Sequence, residues 1–201
     1  MQQASALRGS TMEVDIDASL PKLKKHGRLH GLRHISRLGR ITYDAIRFEG
    51  DNAVKTHVIA KYLSAETEAQ PDTTTGLAVT PENYKFRYRG LQDNGGEQVH
   101  VFEVTPRHKR VGLFKGEIWI DANTFLRVRE SGRFVKTPSV FLKKIQFVRD
   151  YEIQGGISVP HQIRTIVDTR LVGPAELTID FRNVSLADGP RRASLVDLGD
   201  Q

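Results

Sequence analysis

Hydrophobic and polar residues alternate with a period of two along most of this 201-residue chain, the pattern of strands with one face in a core and the other in water. In "AELTIDFRN", Ala175, Leu177, Ile179 and Phe181 fall on one face, opposite Glu176, Thr178, Asp180 and Arg182; such a clean division predicts antiparallel sheet. "MEVDID" sets Met12, Val14 and Ile16 against Glu13, Asp15 and Asp17, and "FKGEIWIDANT" sets Phe114, Ile118 and Ile120 against Lys115, Glu117 and Asp121. "NYKFRYRG" does the same with Tyr84, Phe86 and Tyr88 against Lys85, Arg87 and Arg89. "ITYDAIRFEGD" and "HVIAKYLSAE", rich in β-branched and aromatic residues, also predict strands. "VFLKKIQFVRDYEI" is longer: Phe141, Ile145, Phe147, Tyr151 and Ile153 share one parity, interrupted by Lys143 and Arg149. A strand of that length twists or carries a bulge and belongs in a curved sheet.

Turn signals separate these runs, at Glu49–Asn52, Asp93–Gly96, Asp121–Thr124, Gln154–Gly156 and Val172–Pro174. Roughly ten strands joined mainly by hairpins describe an antiparallel meander. The longest irregular piece, Ser64–Asn83, has room for a short helix or a loop. With no internal repeat or interior linker, the expectation is a single domain over residues 11–190, with tails at 1–10 and 191–201.

A content of 38% hydrophobic and 27% charged residues fits a globular domain large enough to bury its own core. No run approaches the ~18 apolar residues of a membrane helix, and "MQQASALRGSTMEVD" lacks the apolar centre of a signal peptide. The absence of cysteine excludes disulfides, thiolate nucleophiles and cysteine-ligated metals. A formal net charge of +6 permits anionic partners without requiring them.

Candidate chemistry is sparse. The chain has no nucleophile elbow, zinc-protease, P-loop or dinucleotide fingerprint, so no catalytic residue is assigned and a non-enzymatic protein is expected. "KKHGRLHGLRH" places His26, His30 and His34 four residues apart, a metal-like spacing on a helix. Read as a strand, those histidines share a parity with Arg28 and Leu32, opposite Leu29, Gly31, Arg33 and Ile35. No acidic residue lies between Asp17 and Asp44, and seven Lys or Arg do, which argues against a divalent cation. Neither metal nor cofactor is expected. Aromatic stacking residues do not interleave with the cationic cluster, so nucleic acid is not expected either. Lys24, Lys25, Arg28 and Arg33 are instead candidates for contact with an anionic surface or head groups.

From Asn83 to Leu186, an ordered series of strands resembles the bacterial outer-membrane lipoprotein-sorting (LolA-like) proteins and the wider LolA, LolB and RseB-type fold group. A strand ending in "VTP" precedes "GEIWIDANTFLRVR"; then come a paired strand with "YEIQGGISVP" and a last strand ending in "NV". The resemblance implies a mainly β (α+β) fold with few helices: a strongly curved antiparallel sheet, an unclosed half-barrel whose concave apolar face is lidded by helices. It implies a carrier of lipid or lipoprotein acyl chains, or a sensor module that contacts an envelope protein through a sheet edge or basic face. It further implies a periplasmic or exported protein whose leader is absent from these residues, with peripheral but not transmembrane membrane contact; composition alone leaves a cytoplasmic location open. The candidate ligand lining is Phe114, Ile118, Ile120, Ile145, Phe147, Leu177, Ile179 and Phe181.

Overall fold

The structure, a computed structural model, describes residues 6–68, 77–138, 142–170 and 173–186. Its ten strands are β1 (Thr11–Leu20), β2 (Lys25–Ile35), β3 (Ile41–Gly50), β4 (Tyr84–Asn94), β5 (Glu97–Pro106), β6 (Phe114–Asp121), β7 (Arg127–Phe134), β8 (Leu142–Gln154), β9 (Ile157–Thr169) and β10 (Pro174–Ser185). They form one antiparallel sheet in the order β3-β2-β1-β10-β9-β8-β7-β6-β5-β4. Chain neighbours pair with each other throughout, except β3 and β4, which are the two outer edges; the first and last strands pair in the interior. The sheet is therefore an unclosed half-barrel, as the resemblance implied, built as the antiparallel meander that the alternation predicted. Val140, Phe141 and Val172, the middle of the Ser64–Asn83 connection, and the segments 1–5 and 191–201 lie outside the described residues.

Register carries one face across the whole sheet. Ile16 stands opposite Leu29 on β2 and Ile179 on β10, and Ile179 opposite Ile163 on β9. Thr165 stands opposite Phe147, Phe147 opposite Gly132, Gly132 opposite Gly116, and Phe102 opposite both Ile118 and Tyr88. This inner face holds both apolar clusters, one on β1, β2 and β10, the other around Phe114 and Phe147. Within the second cluster, β6 and β7 approach very closely at Gly116 and Gly132. A Cβ on Gly116 would sit 1.9 Å from the Ser131 carbonyl oxygen, so only glycine allows this approach.

The expectation of a strand over His57–Glu66 is wrong: the segment is helical. The helix α1 comprises Asn52–Val54, a wider π-type turn at Lys55–Ile59, and Ala60–Glu68. Its β-branched content favours strand, but the turn before it decides otherwise. Gly50 adopts φ +107° and lies so near β2 that a Cβ would meet the His26 carbonyl at 2.5 Å. The Asp51 carboxylate then accepts the Ala53 N–H at 2.7 Å and caps the helix. Val54 and Ile59 are fully buried, and Val58, Tyr62 and Leu63 pack beside them onto the β1, β2 and β10 face. Burial on the order of 1.5–3 kcal/mol for each large apolar side chain outweighs a local strand preference of about 1 kcal/mol. Ahead of β1, residues 6–10 are tied to β2: the Gly9 N–H donates to the Ile35 carbonyl at 2.7 Å, and Leu7 packs on the core.

Candidate functional site

The inner face has a closed half and an open half. Under α1, Leu177, Ile179 and Phe181 join Met12, Val14, Ile16 and Leu29 in a dry core with Val54 and Ile59. In the other half, Phe114, Ile118 and Phe147 pack with Tyr84, Val104 and Leu113, and Leu77 and Val79 lie against them. Ile145, also buried, stands on β8 opposite Val167. The eight residues named from the sequence thus share one face, but seven of them fall into two clusters rather than one lining, and Ile145 belongs to neither cluster. Of these eight, only Ile120, half-buried, borders the part that none of the described residues covers.

That uncovered part is an aromatic shelf on β4, β5 and the β6–β7 turn. Phe86 (39% exposed), Tyr88 (53%), Leu91 (52%) and Phe125 (72%) all present apolar surface. Tyr88 packs on Phe102 with ring centres 5.2 Å apart, and Phe125 stacks on His100 at 6.5 Å. The Tyr88 hydroxyl and His100 Nδ1 share a hydrogen bond of 2.9 Å. Contiguous exposed apolar surface of this kind marks a binding surface more often than a packing residue.

Between the two halves lies a buried polar centre. Glu130, 2% exposed, takes ion pairs from Arg127 and, at 3.3 Å, from Arg149, and it accepts a hydrogen bond from the Tyr151 hydroxyl at 3.1 Å. Register assembles it: Arg149 stands opposite Glu130, Glu130 opposite Ile118, and Arg127 opposite Ile120. The Arg149 guanidinium also covers the Phe147 ring at 4.6 Å, and that of Arg127 covers Tyr151 at 5.0 Å. Burial and the Glu130 charge push the Tyr151 hydroxyl up to about 12. Burial acts to lower the Arg149 pKa, but Tyr151 and Glu130 more than offset it, so the guanidinium stays charged.

A second pair fastens α1 to the sheet. Arg33, 7% exposed, donates to both carboxylate oxygens of Glu66, at 3.1 and 3.3 Å, and the Tyr43 hydroxyl donates to the same carboxylate. Burial and the neighbouring Glu66 raise the Tyr43 pKa. Burial also raises that of Tyr62, whose buried hydroxyl lies near Glu66 yet closes no hydrogen bond among the described residues.

Arg33 therefore stands apart from Lys24, Lys25 and Arg28, with which the sequence grouped it. The strand parity puts His26, Arg28 and His30 outward and Gly27, Leu29, Gly31 and Arg33 inward. Lys24 sits in the left-handed residue that ends a short 3-10 turn. Carboxylates missing from the local sequence arrive from neighbouring strands: Arg28 pairs with Asp17 at 2.8 Å, His30 with Asp15 at 2.9 Å, and His34 with Asp44 at 3.2 Å. Lys25 pairs with Asp51 at 3.3 Å. No group of three or more His, Cys, Asp or Glu side chains converges among the described residues as a metal site requires. On the outer face, an open depression of about 630 Å³ is bordered by Lys115, Arg133, Gln146, Arg164 and Ile166. Another, of about 480 Å³, lies between Asn94, Glu97, Arg129 and Asp150.

Phe102, Glu130 and Arg127 are site residues that the sequence pattern did not single out. A signal for the polar centre did exist, since Arg149 interrupts an apolar parity on β8. Its partners lie on β7, and only the register brings them there.

No protein-family model matches the chain, and no curated protein matches it significantly. Among solved structures it is similar to a DUF1329 family protein from Desulfovibrio piger, with 15% identity, a TM-score of 0.49, and coverage of 93% of this chain and 89% of that one. It is similar to a LolA superfamily protein from Nitrosomonas europaea, with 14% identity, a TM-score of 0.45, and coverage of 94% and 92%. A third is a putative outer membrane lipoprotein-sorting protein domain from Vibrio parahaemolyticus, with 14% identity, a TM-score of 0.42, and coverage of 95% and 92%.

Proposed function

We propose that this chain is a non-enzymatic, exported envelope protein that holds a lipid or other apolar ligand on the inner face of its half-barrel. The observation that carries this is the aromatic shelf of Phe86, Tyr88, Leu91, Phe102 and Phe125, which continues the buried inner face but is left without cover by the described residues. No helix among the described residues is long and apolar enough to cross a membrane; peripheral contact through Lys24, Lys25 and Arg28 is part of the same proposal. Native mass spectrometry and lipid extraction after mild purification test it. A bound lipid that leaves on denaturation is the expected result. Failure of any lipid to copurify, together with failure of a fluorescent apolar probe to bind, would sink it.

A second role, docking of an envelope protein on a sheet edge, would use β3 and β4, the outer strands of the sheet among the described residues. Both edges carry register breaks, at Ala45 (φ +51°) opposite His30–Leu32 and at Tyr88–Gly90, and such bulges guard an edge against strand addition. Capture of a specific envelope protein without any lipid dependence would move this role to the front.

A further inference from the structure

Inside an apolar half-barrel, the Glu130 centre is costly unless it serves a ligand or a packing need. Glu130 itself is fully engaged: Arg127 and Tyr151 already hold its two oxygens. Arg149 is not. Its contact with Glu130, one N–H to Oε2 at 3.3 Å, uses one of the five donors of a guanidinium. No second acceptor for it is found among the described residues, and 37% of its side chain is open to solvent. The charge is fixed in place by the Phe147 ring beneath it. Tyr62 lies close enough to act electrostatically on Arg149, and its buried hydroxyl, near Glu66, closes no hydrogen bond among the described residues.

Strands β7 and β6 separate Arg149 from the apolar shelf. Ile118 stands opposite Glu130, Ile120 opposite Arg127, Phe102 opposite Ile118, and Tyr88 opposite Phe102. From Arg149 on β8 to Tyr88 on β4 there are four interstrand steps, roughly 19 Å at ~4.8 Å each. A guanidinium with free donors at one end of an apolar track that long is complementary to one anionic group carrying one long chain.

Resting on the apolar-ligand reading above, we infer that the ligand is an amphiphile with one anionic head group. Its carboxylate or phosphate sits on Arg149, and its chain runs past Ile120 and over Phe102 and Tyr88. A neutral lipid would leave the donors of Arg149 unanswered; a bulky zwitterionic head would bring a second cation toward it.

The test uses the whole chain and four probes at pH 7.5: cis-parinaric acid, its methyl ester, and oleoyl lysophosphatidate against monoolein as competitors of the ester. Binding of the acid at least tenfold tighter than the ester supports a carboxylate source. A tenfold advantage of lysophosphatidate over monoolein supports a phosphate source. Equal binding within both pairs overturns the inference while leaving the apolar-ligand reading intact, and no binding of any probe overturns both. Arg149→Gln is expected to abolish the anionic preference and to leave ester affinity within twofold, with Arg149→Lys retaining part of the preference. Persistence of the full preference in Arg149→Gln would refute the assignment. Should that variant not fold, Glu130→Gln with Arg149→Gln removes both buried charges together and is read by the same criterion.

Discussion

Replacing Glu130 with alanine takes away the carboxylate on which Arg127, Arg149 and Tyr151 converge and leaves two guanidinium groups facing each other across β7 and β8. Removing one member of a buried ion pair costs about 3–5 kcal/mol where the partner stays buried. Here the side chains of Arg127 and Arg149 keep 23% and 37% of their exposure and can rehydrate, so about 2–3 kcal/mol is expected. For a chain of this length that corresponds to a melting point lowered by roughly 4–12 °C. Urea unfolding read by circular dichroism should show the midpoint moving with an unchanged slope. The double variant Glu130→Leu with Arg149→Met removes the charges as a pair and should recover at least about 1 kcal/mol relative to additivity. If Glu130→Ala melts within 1 °C of the parent, the centre is a solvated surface cluster and its description as a buried network is wrong.

Three further outcomes follow from the geometry. Gly116→Ala sets a Cβ 1.9 Å from the Ser131 carbonyl and should destabilise the chain by about 3 kcal/mol or prevent folding, whereas Gly95→Ala, whose Cβ would meet nothing within 4 Å, should cost about 1 kcal/mol for its positive φ; equal losses would refute the close approach of β6 and β7. Glu66→Gln weakens the hold of Arg33 and Tyr43 on α1, so limited proteolysis should cut within 52–68 several times faster than in the parent, and an unchanged cleavage pattern would contradict that role. Asp121 is held below its ordinary value by the Thr124 hydroxyl and backbone N–H. Because its folded pKa is the depressed one, its stabilisation is complete above about pH 4 and is lost as pH falls through the folded value. The melting-point gap between the parent and Asp121→Asn should therefore shrink from pH 5 to pH 2.5, and a constant gap would refute it.

Strands with one wet face were readable because burial follows parity: β1 and β10 alternate as "MEVDID" and "AELTIDFRN" predict, and β2 puts its histidines outward as a two-residue period requires. α1 was not readable, since Val54, Val58 and Ile59 suit a strand; what makes them helical is the Gly50–Asp51 corner pressed against β2. The apolar inner face was readable residue by residue, yet its division was not, because the cover over Leu177, Ile179 and Phe181 is α1 itself. Acidic partners of Arg28, His30 and His34 were invisible for the same kind of reason. They stand on β1 and β3, across the ladder rather than along the chain.

The central claim is that the inner face of the open half carries an apolar ligand. The direct measurement is photolabelling of the native chain with a diazirine-bearing long-chain alcohol, followed by peptide mapping. Adducts concentrated on β4, β5 and β6, at Tyr88, Phe102 and Ile120, and suppressed by excess unlabelled lipid, are the predicted result. Labelling spread over the outer face around Lys115 and Ile166, or labelling that excess lipid does not suppress, would contradict the account.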